Sequence, residues 1–256
     1  MPEMHFDERI ARNYERYWPG LFEPAMIEPV VAFLSALARS ATARSGSGRA
    51  LEFGIGTGRI ALPLARRGIA VHGIELSPAM VARLQEQPGA EDVGATIGDF
   101  AAVGVDGTFS LVYLVRNTIT NLTTQDEQVE CFRNAARHLE VGGHFVIEVY
   151  IPALRWLPPG QDVRPLSVTP VHVGFEAYDV ASQIAISSHY WMIDGQIETF
   201  SAPFRYVWPA ELDLMARLAG MRLRGRWSGW QQEPFTSEST THVAVWEKIT
   251  ERVGSS

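Results

Sequence analysis

Apolar positions recur in two rhythms along this chain, and the rhythm changes near residue 150. In "EPVVAFLSALAR", Glu28 to Arg39, they fall at helical spacing, and the run ends in the loop "SATARSGSGR". Short, largely apolar runs then alternate with helical ones. "RALEF" predicts a first strand, and Arg59 to Arg67 a helix stopped by Gly68. "IAVHGIE" predicts a second strand, after which Ser77 and Pro78 mark the cap and first position of a helix. "GATIGD" predicts a short third strand and "FSLVYLV" a fourth. Thr124 to Leu139 reads as a helix with Val129, Phe132, Ala136 and Leu139 on one face, before a fifth strand in "GGHFVIEVY". Apolar strands alternating with helices imply a parallel sheet covered on both faces.

From about Ile151 to Trp208 no long helix is predicted. "QIAISSHYWMI" and "QIETFSAPFRYVW" flank Asp194-Gly195, a strong short-range hairpin signal, and "VHVGFEAYDV" adds a further antiparallel strand. Helix and strand resume with "PAELDLMARLAGM", "RLRGRWSGW" and "THVAVWEKI", the last two able to pair. Four segments follow: an N-terminal helical cap (1–47), a core (48–150), a β-rich insertion (151–208) and a return to the core (209–256). The expected class is α/β with an antiparallel β insertion after strand 5.

Composition narrows the function. With 29 acidic against 22 basic residues, net charge −7 and the arginines scattered, broad capture of nucleic acid is disfavoured. A lone Cys131, an acidic polar N-terminal stretch and the lack of a bilayer-length apolar run lead to an expected cytoplasmic location. The seven histidines lack paired spacing, so no metal is expected.

The chemistry centres on "ALEFGIGTGRIALPLA", residues 50–65. Gly54, Gly56 and Gly58 form G-x-G-x-G. A dinucleotide fingerprint needs G-x-G-x-x-G, but Arg59 stands at its third glycine, and no Gly-Lys-Ser/Thr completes a P-loop. Glu52 precedes the loop, Glu75 ends the second strand and Asp99 follows the third. Three carboxylates at one sheet edge repel a pyrophosphate and suit a cationic or hydroxyl-rich ligand. Glu75 is placed to accept from both hydroxyls of a ribose, and Asp99 from an adenine amino group. Pro63, inside the expected helix, has no functional account.

"LEFGIGTGR", "GIELSPAM", "GDF", "FSLVYLVRNTITNL" and "HLEVGGHFVIE" resemble, in order, the motifs of class I S-adenosylmethionine-dependent methyltransferases. The resemblance spans roughly residues 50–150, and the C-terminal strand pair is similar to that family's antiparallel seventh strand. It implies a Rossmann-like, mostly parallel seven-stranded sheet and S-adenosylmethionine as cofactor, with S-adenosylhomocysteine as product. It also implies residue roles. Glu52, the backbone of Gly54, Ile55, Gly56 and Gly58, and Arg59 face the methionine part; Glu75 holds the ribose, with Leu76 and Met80 beside the adenine. Asp99 takes the adenine amino group, Phe100 stacks near the ring, Val115 and Arg116 line the other side, and Tyr14 reaches over the cofactor.

Family members that methylate base amines carry Asn-Pro-Pro-aromatic where this chain has "RNTITN". The inserted sheet instead resembles small-molecule methyltransferases, including amino-sugar N-methyltransferases, in which it covers the acceptor and often mediates dimer contacts. The expectation is methyl transfer to nitrogen or oxygen of a small molecule by in-line displacement, with a homodimer in view. The alternatives are an enzyme acting on RNA or protein, or a non-catalytic cofactor-binding protein. If Asp194-Gly195 is a two-residue turn, His189 faces Phe200, and Ser187, His189, Trp191, Glu198 and Phe200 share one face, with Tyr190 and Arg205 on the other. His189 is the candidate base; Glu148, Tyr150 and Asn117 are the other catalytic candidates. Tyr178, Tyr190 and Arg205, with His172, are candidates for acceptor contact. Trp227 and Trp230 either line the acceptor mouth or cover the sheet edge.

Overall fold

The computed structural model describes residues 6–42 and 46–249. Five strands, β1 (Ala50–Phe53), β2 (Val71–Glu75), β3 (Val93–Ile97), β4 (Phe109–Leu114) and β5 (Leu139–Tyr150), run parallel. Between them lie α3 (Ala61–Arg66), α4 (Pro78–Gln85) and α5 (Gln125–His138); α1 (Glu8–Tyr17) and α2 (Pro24–Thr42) precede them. After the insertion come α6 (Pro209–Leu218), β10 (Met221–Trp227) and β11 (Thr241–Lys248). The seven-stranded order is β10-β11-β5-β4-β1-β2-β3, and β11 is antiparallel to both of its neighbours.

Alternation along the strands explains the two buried layers. Leu51, Phe53, Val112 and Leu114 join Phe132, Leu212 and Met215 on one side of the sheet. Ala50, Leu111, Tyr113 and Val146 join Val31, Leu34 and Leu64 on the other. Both faces are covered, as a parallel sheet requires.

The insertion is a separate antiparallel sheet, β6 (Val163–Val168), β7 (His172–Asp179), β8 (Ile184–Ile193) and β9 (Gln196–Arg205). Asp194 (φ 51°) and Gly195 (φ 75°) are both left-handed, as a two-residue I′ turn demands, so His189 pairs with Phe200. α1 wedges between this sheet and the core: Ile10, Ala11 and Tyr17 pack with Met80 on one side and with Trp191, Phe200 and Ala202 on the other.

Three local expectations change. α2 starts at Pro24, ahead of the expected Glu28, and so runs through Pro29; Met26 and Ile27 N–H already bond Glu23 O at 2.9 and 3.2 Å. α3 starts at Ala61, so Pro63 sits in its first turn, where its missing N–H costs no helical bond. β6 was not expected, because Pro165 interrupts its pattern and much of the strand is exposed.

Candidate active site

A cavity of ≈ 770 Å³ lies between the C-terminal edge of the parallel strands and the inner face of the inserted sheet. Its floor is set by the turn after β1. Gly54, Gly56 and Gly58 have φ of +74°, +55° and +82°. The three differ in what surrounds them. A Cβ on Gly58 would meet Leu84 Cδ1 at 2.3 Å and one on Gly54 would meet Thr118 Cγ2 at 2.6 Å, whereas Gly56 meets nothing within 4 Å. Gly54 and Gly58 therefore serve packing, and Gly56 leaves backbone open to the cavity.

Glu75 supports that open backbone. Gly56 N–H donates to its Oε2 and Ser77 N–H to its Oε1, each at 2.9 Å. Burial raises its pKa, and these backbone donors pull the other way. A carboxylate oxygen accepts more than one bond, so Glu75 retains capacity for ligand hydroxyls. Glu52, almost fully buried, accepts from Tyr113 Oη at 2.9 Å; burial pushes its pKa up to about 8, opposed by that hydrogen bond and the Arg59 charge. A ligand cation beside it would favour the carboxylate. Asp99 Oδ1 accepts from Ala101 N–H at 2.8 Å, and Phe100 stacks on Phe53 at 5.7 Å. The open backbone at Gly56, spare acceptors on Glu75 and Asp99, and the Glu52/Arg59 pair fit a ligand with hydroxyls, an amino group and a zwitterionic end.

Tyr14, Arg59, Leu76, Met80, Val115 and Arg116 line the same cavity. Ile55 and Gly58 pack below the loop instead: Ile55 fills the space where Gly73 would carry a Cβ.

The opposite wall comes from the inserted sheet. His189 Nδ1 lies 2.9 Å from His172 Nε2, and its Nε2 lies 3.1 Å from Ser187 Oγ. Its ring stacks on Trp191 at 5.2 Å. Burial, then the neighbouring His172, pushes the His189 pKa down to about 4, so the ring is neutral at pH 7. Glu176, across from Arg164 in the β6–β7 register, accepts from Tyr178 Oη at 2.5 Å, and burial raises its pKa. The buried Tyr150 hydroxyl has no hydrogen-bond partner.

The remaining candidates are placed differently. Asn117 lines the cavity, but its Oδ1 accepts from Tyr150 N–H at 2.8 Å. The Glu148 carboxylate is held by Arg116 N–H at 2.8 Å and Trp230 Nε1–H at 3.0 Å. Tyr178 reaches the cavity only through Glu176. Tyr190 is 44% exposed on the outer sheet face, stacked on Phe175 at 6.0 Å. Arg205 is buried and bound to Glu211 (2.9 Å), Gln128 Oε1 (2.5 Å) and Gln183 Oε1 (3.1 Å). Face counting places it away from His189, but the strand end is wrapped by α5 and α6. Sequence reasoning missed Trp18, Arg164 and Glu176, all cavity-lining; the last two come from strands whose register only folding fixes.

Among the described residues, no group of three or more His, Cys, Asp or Glu could hold a metal ion, and no helix is long and apolar enough to cross a membrane.

Residues 50–143 match the family described as Methyltransferase domain. A cypemycin N-terminal methyltransferase from a Streptomyces species is 30% identical over 204 residues, 77% of this chain and 82% of that protein. The CcbJ methyltransferase of Streptomyces caelestis is 33% identical and superposes with a TM-score of 0.82 over 96% of this chain and 99% of its own. S-adenosylmethionine-bound CalS10 of Micromonospora echinaspora, an amino pentose methyltransferase, shares the fold at 23% identity and TM-score 0.62, over 83% of this chain and 89% of its own. With its parallel sheet, antiparallel seventh strand and glycine loop at the cavity floor, this chain belongs to the class I S-adenosylmethionine-dependent methyltransferases.

Proposed function

We propose that this enzyme methylates an amine nitrogen of a small molecule held between the glycine loop and the inserted sheet. One observation carries the reading: a single cavity of ≈ 770 Å³ joins Gly56 and Glu75 on the floor to His189 and Glu176 on the roof. When bound, the cofactor supplies an electrophilic methyl group with a neutral leaving group. On the floor, Glu75 accepts from the ribose hydroxyls and Asp99 from the adenine amino group, with Leu76, Met80 and Phe100 beside the ring. Glu52, Arg59 and the backbone of Gly54 and Gly56 flank the methionyl end, and Tyr14 closes over it.

The roof decides between nitrogen and oxygen. A hydroxyl acceptor needs a base that can hold its proton, and His189, with a pKa near 4, is far too weak. An amine needs only its free lone pair. Glu176, whose pKa burial raises, draws in the ammonium form and can take the proton that the nitrogen must lose before it attacks the methyl group, and the unpartnered Tyr150 hydroxyl gives the acceptor a hydrogen bond. His189 is engaged at both ring nitrogens and orients Ser187 rather than abstracting a proton. The cypemycin relative, an N-terminal methyltransferase, is consistent with nitrogen chemistry. The inserted sheet's outer face exposes Val173, Ile186, Tyr190, Met192 and Ile197, and supports a homodimer through that face. The proposed location is the cytoplasm.

The test is incubation with methyl-labelled S-adenosylmethionine and a panel of small amines, alcohols, RNA and protein. Label in an amine, absent from the alcohol of the same skeleton, supports the proposal. Label confined to alcohols, RNA or protein overturns it.

A further inference from the structure

Two consecutive non-glycine residues at the cavity edge, Arg116 (φ 55°) and Asn117 (φ 65°), occupy the left-handed region. Left-handed backbone costs roughly 1–2 kcal/mol per non-glycine residue and persists only where neighbours hold it. The holding contacts come from the end of β5. Asn117 N–H donates to Glu148 O at 3.1 Å, and Asn117 Oδ1 accepts from Tyr150 N–H at 2.8 Å. Arg116 N–H donates to Glu148 Oε2 at 2.8 Å.

The second oxygen of that carboxylate is also occupied. Glu148 Oε1 accepts from Trp230 Nε1–H at 3.0 Å. Trp230 lies in the loop between β10 and β11 and packs edge-on against Phe33 of α2, with ring centroids 5.5 Å apart. Glu148 thus joins two N–H donors that cannot bond each other, and a carboxylate is the side chain that accepts from both. Glutamine at 148 would accept from one and turn an NH₂ toward the other.

We infer that Trp230 is a positioning residue for methyl transfer: through Glu148 it fixes the Arg116–Asn117 turn against the cofactor. Glu148 is a positioning residue by the same geometry, and neither side chain touches substrate. The inserted aromatic ring anchors to α2, so the carboxylate cannot rotate away from Arg116 while the ring is in place. This role is separate from the identity of the methyl acceptor and stands whichever acceptor is used.

The experiment measures S-adenosylhomocysteine binding by calorimetry, and hydrogen exchange of the Arg116 amide, in the full chain. Trp230→Phe keeps the ring on Phe33 and removes only the donor. It should raise Kd severalfold, up to about tenfold, because the lost bond holds the turn and not the ligand and only part of it reaches binding, and should speed exchange at Arg116. Glu148→Gln should weaken binding further. In Trp230→Phe/Glu148→Gln the amide oxygen is free to face Arg116, so the double variant should bind more tightly than Glu148→Gln alone. Thermal unfolding of Trp230→Phe, compared with wild type, checks that the fold is kept. Equal Kd for wild type and Trp230→Phe, or losses that simply multiply in the double variant, would overturn the inference.

Discussion

Glu75→Gln isolates the charge from the shape at the cavity floor. In the wild type the carboxylate accepts from Gly56 and Ser77 N–H at 2.9 Å each and, in the proposed complex, from two ribose hydroxyls. Charge-assisted hydrogen bonds contribute about 1.5–3 kcal/mol each and neutral ones about 0.5–1.5 kcal/mol. Glutamine offers one oxygen and turns an NH₂ toward a backbone donor, so one ligand bond becomes neutral and the other is lost. The expected weakening is about 2–4 kcal/mol, a rise in cofactor Kd of roughly 30- to 1000-fold. Stability should change far less, because removing a buried charge also removes its desolvation cost. The assay is calorimetric titration with S-adenosylmethionine, alongside urea unfolding. The pH dependence gives a second check. The Glu75 pKa is raised by burial, so wild-type affinity should fall as the pH drops through that raised value, while Glu75→Gln should lose that component and keep only the dependence that Glu52 contributes. A Kd for Glu75→Gln within threefold of wild type would remove Glu75 from the ribose site.

The glycine loop should separate stability from binding. Gly58→Ala places Cβ 2.3 Å from Leu84 Cδ1 at positive φ and should destabilise by about 2–4 kcal/mol in urea unfolding, whereas Gly56→Ala adds no clash, should cost only the left-handed strain of about 1–2 kcal/mol, and should weaken cofactor binding. With the His189 pKa pushed down to about 4, the rise in methylation rate between pH 6 and 9 should follow the acceptor amine and Glu52 and not His189; His189→Gln should lower the rate and leave the inflection in place in a pH–rate profile. His242 is fully buried beside Phe235, and burial, with Arg226 nearby, holds its pKa down to about 3. The unfolded chain binds this proton below pH 6.5 and the native chain does not, so stability should fall from pH 6.5 toward 3 by at most about 1.4 kcal/mol per unit from this group. His242→Phe should flatten that acid limb in unfolding measured against pH. Arg205→Leu removes the buried cation between Glu211 and Gln128, and because Glu211 keeps its bonds from Trp208 N–H and Gln183 it should cost about 2–4 kcal/mol in stability while acceptor binding by the folded fraction is unchanged.

What was legible in the sequence follows from the range of the interactions involved. β1 and β4 announce themselves because both faces are buried and their runs are almost wholly apolar, whereas β3 is an edge strand with no buried residue and is legible mainly from its place in the alternation. Asp194-Gly195 fixes the β8–β9 register because a two-residue turn allows one pairing, so His189 opposite Phe200 needed no tertiary information. Glu52, Glu75 and Asp99 sit at strand ends, where chain order alone brings them to one edge. Arg164 escaped because β6 has a proline, a register shift and much of its length exposed, and Glu176 because its strand, though expected, had no register against β8 to say which face meets the cavity. Arg205 misled because alternation gives a face but not what packs on it; α5 and α6 supply Gln128 and Glu211. Tyr190 shows the reverse case: alternation alone puts it opposite His189, and that is where it lies.

The two halves of the cavity are joined by different kinds of bond, and this bears on how such an enzyme changes acceptor. The floor is backbone: glycine φ angles, N–H groups and a carboxylate they cradle, all within the matched 50–143 segment. The roof meets the core largely through α1, whose Tyr17 stacks on Trp191 at 4.5 Å while Arg9 and Arg16 pair with Glu198 and Asp194. Those ion pairs are solvent-exposed and contribute about 0–1 kcal/mol each, so the aromatic stack and the Met80 contact carry the attachment at α1, while buried Arg205, bound by Gln128 and Glu211, carries it at the end of β9. Substitutions at Arg164, Glu176 or His172 therefore alter the acceptor wall without disturbing the hydrogen bonds that hold Gly56 and Glu75. Cofactor affinity and acceptor choice become nearly independent properties of one chain, linked where the Arg116–Asn117 turn and Tyr14 touch both.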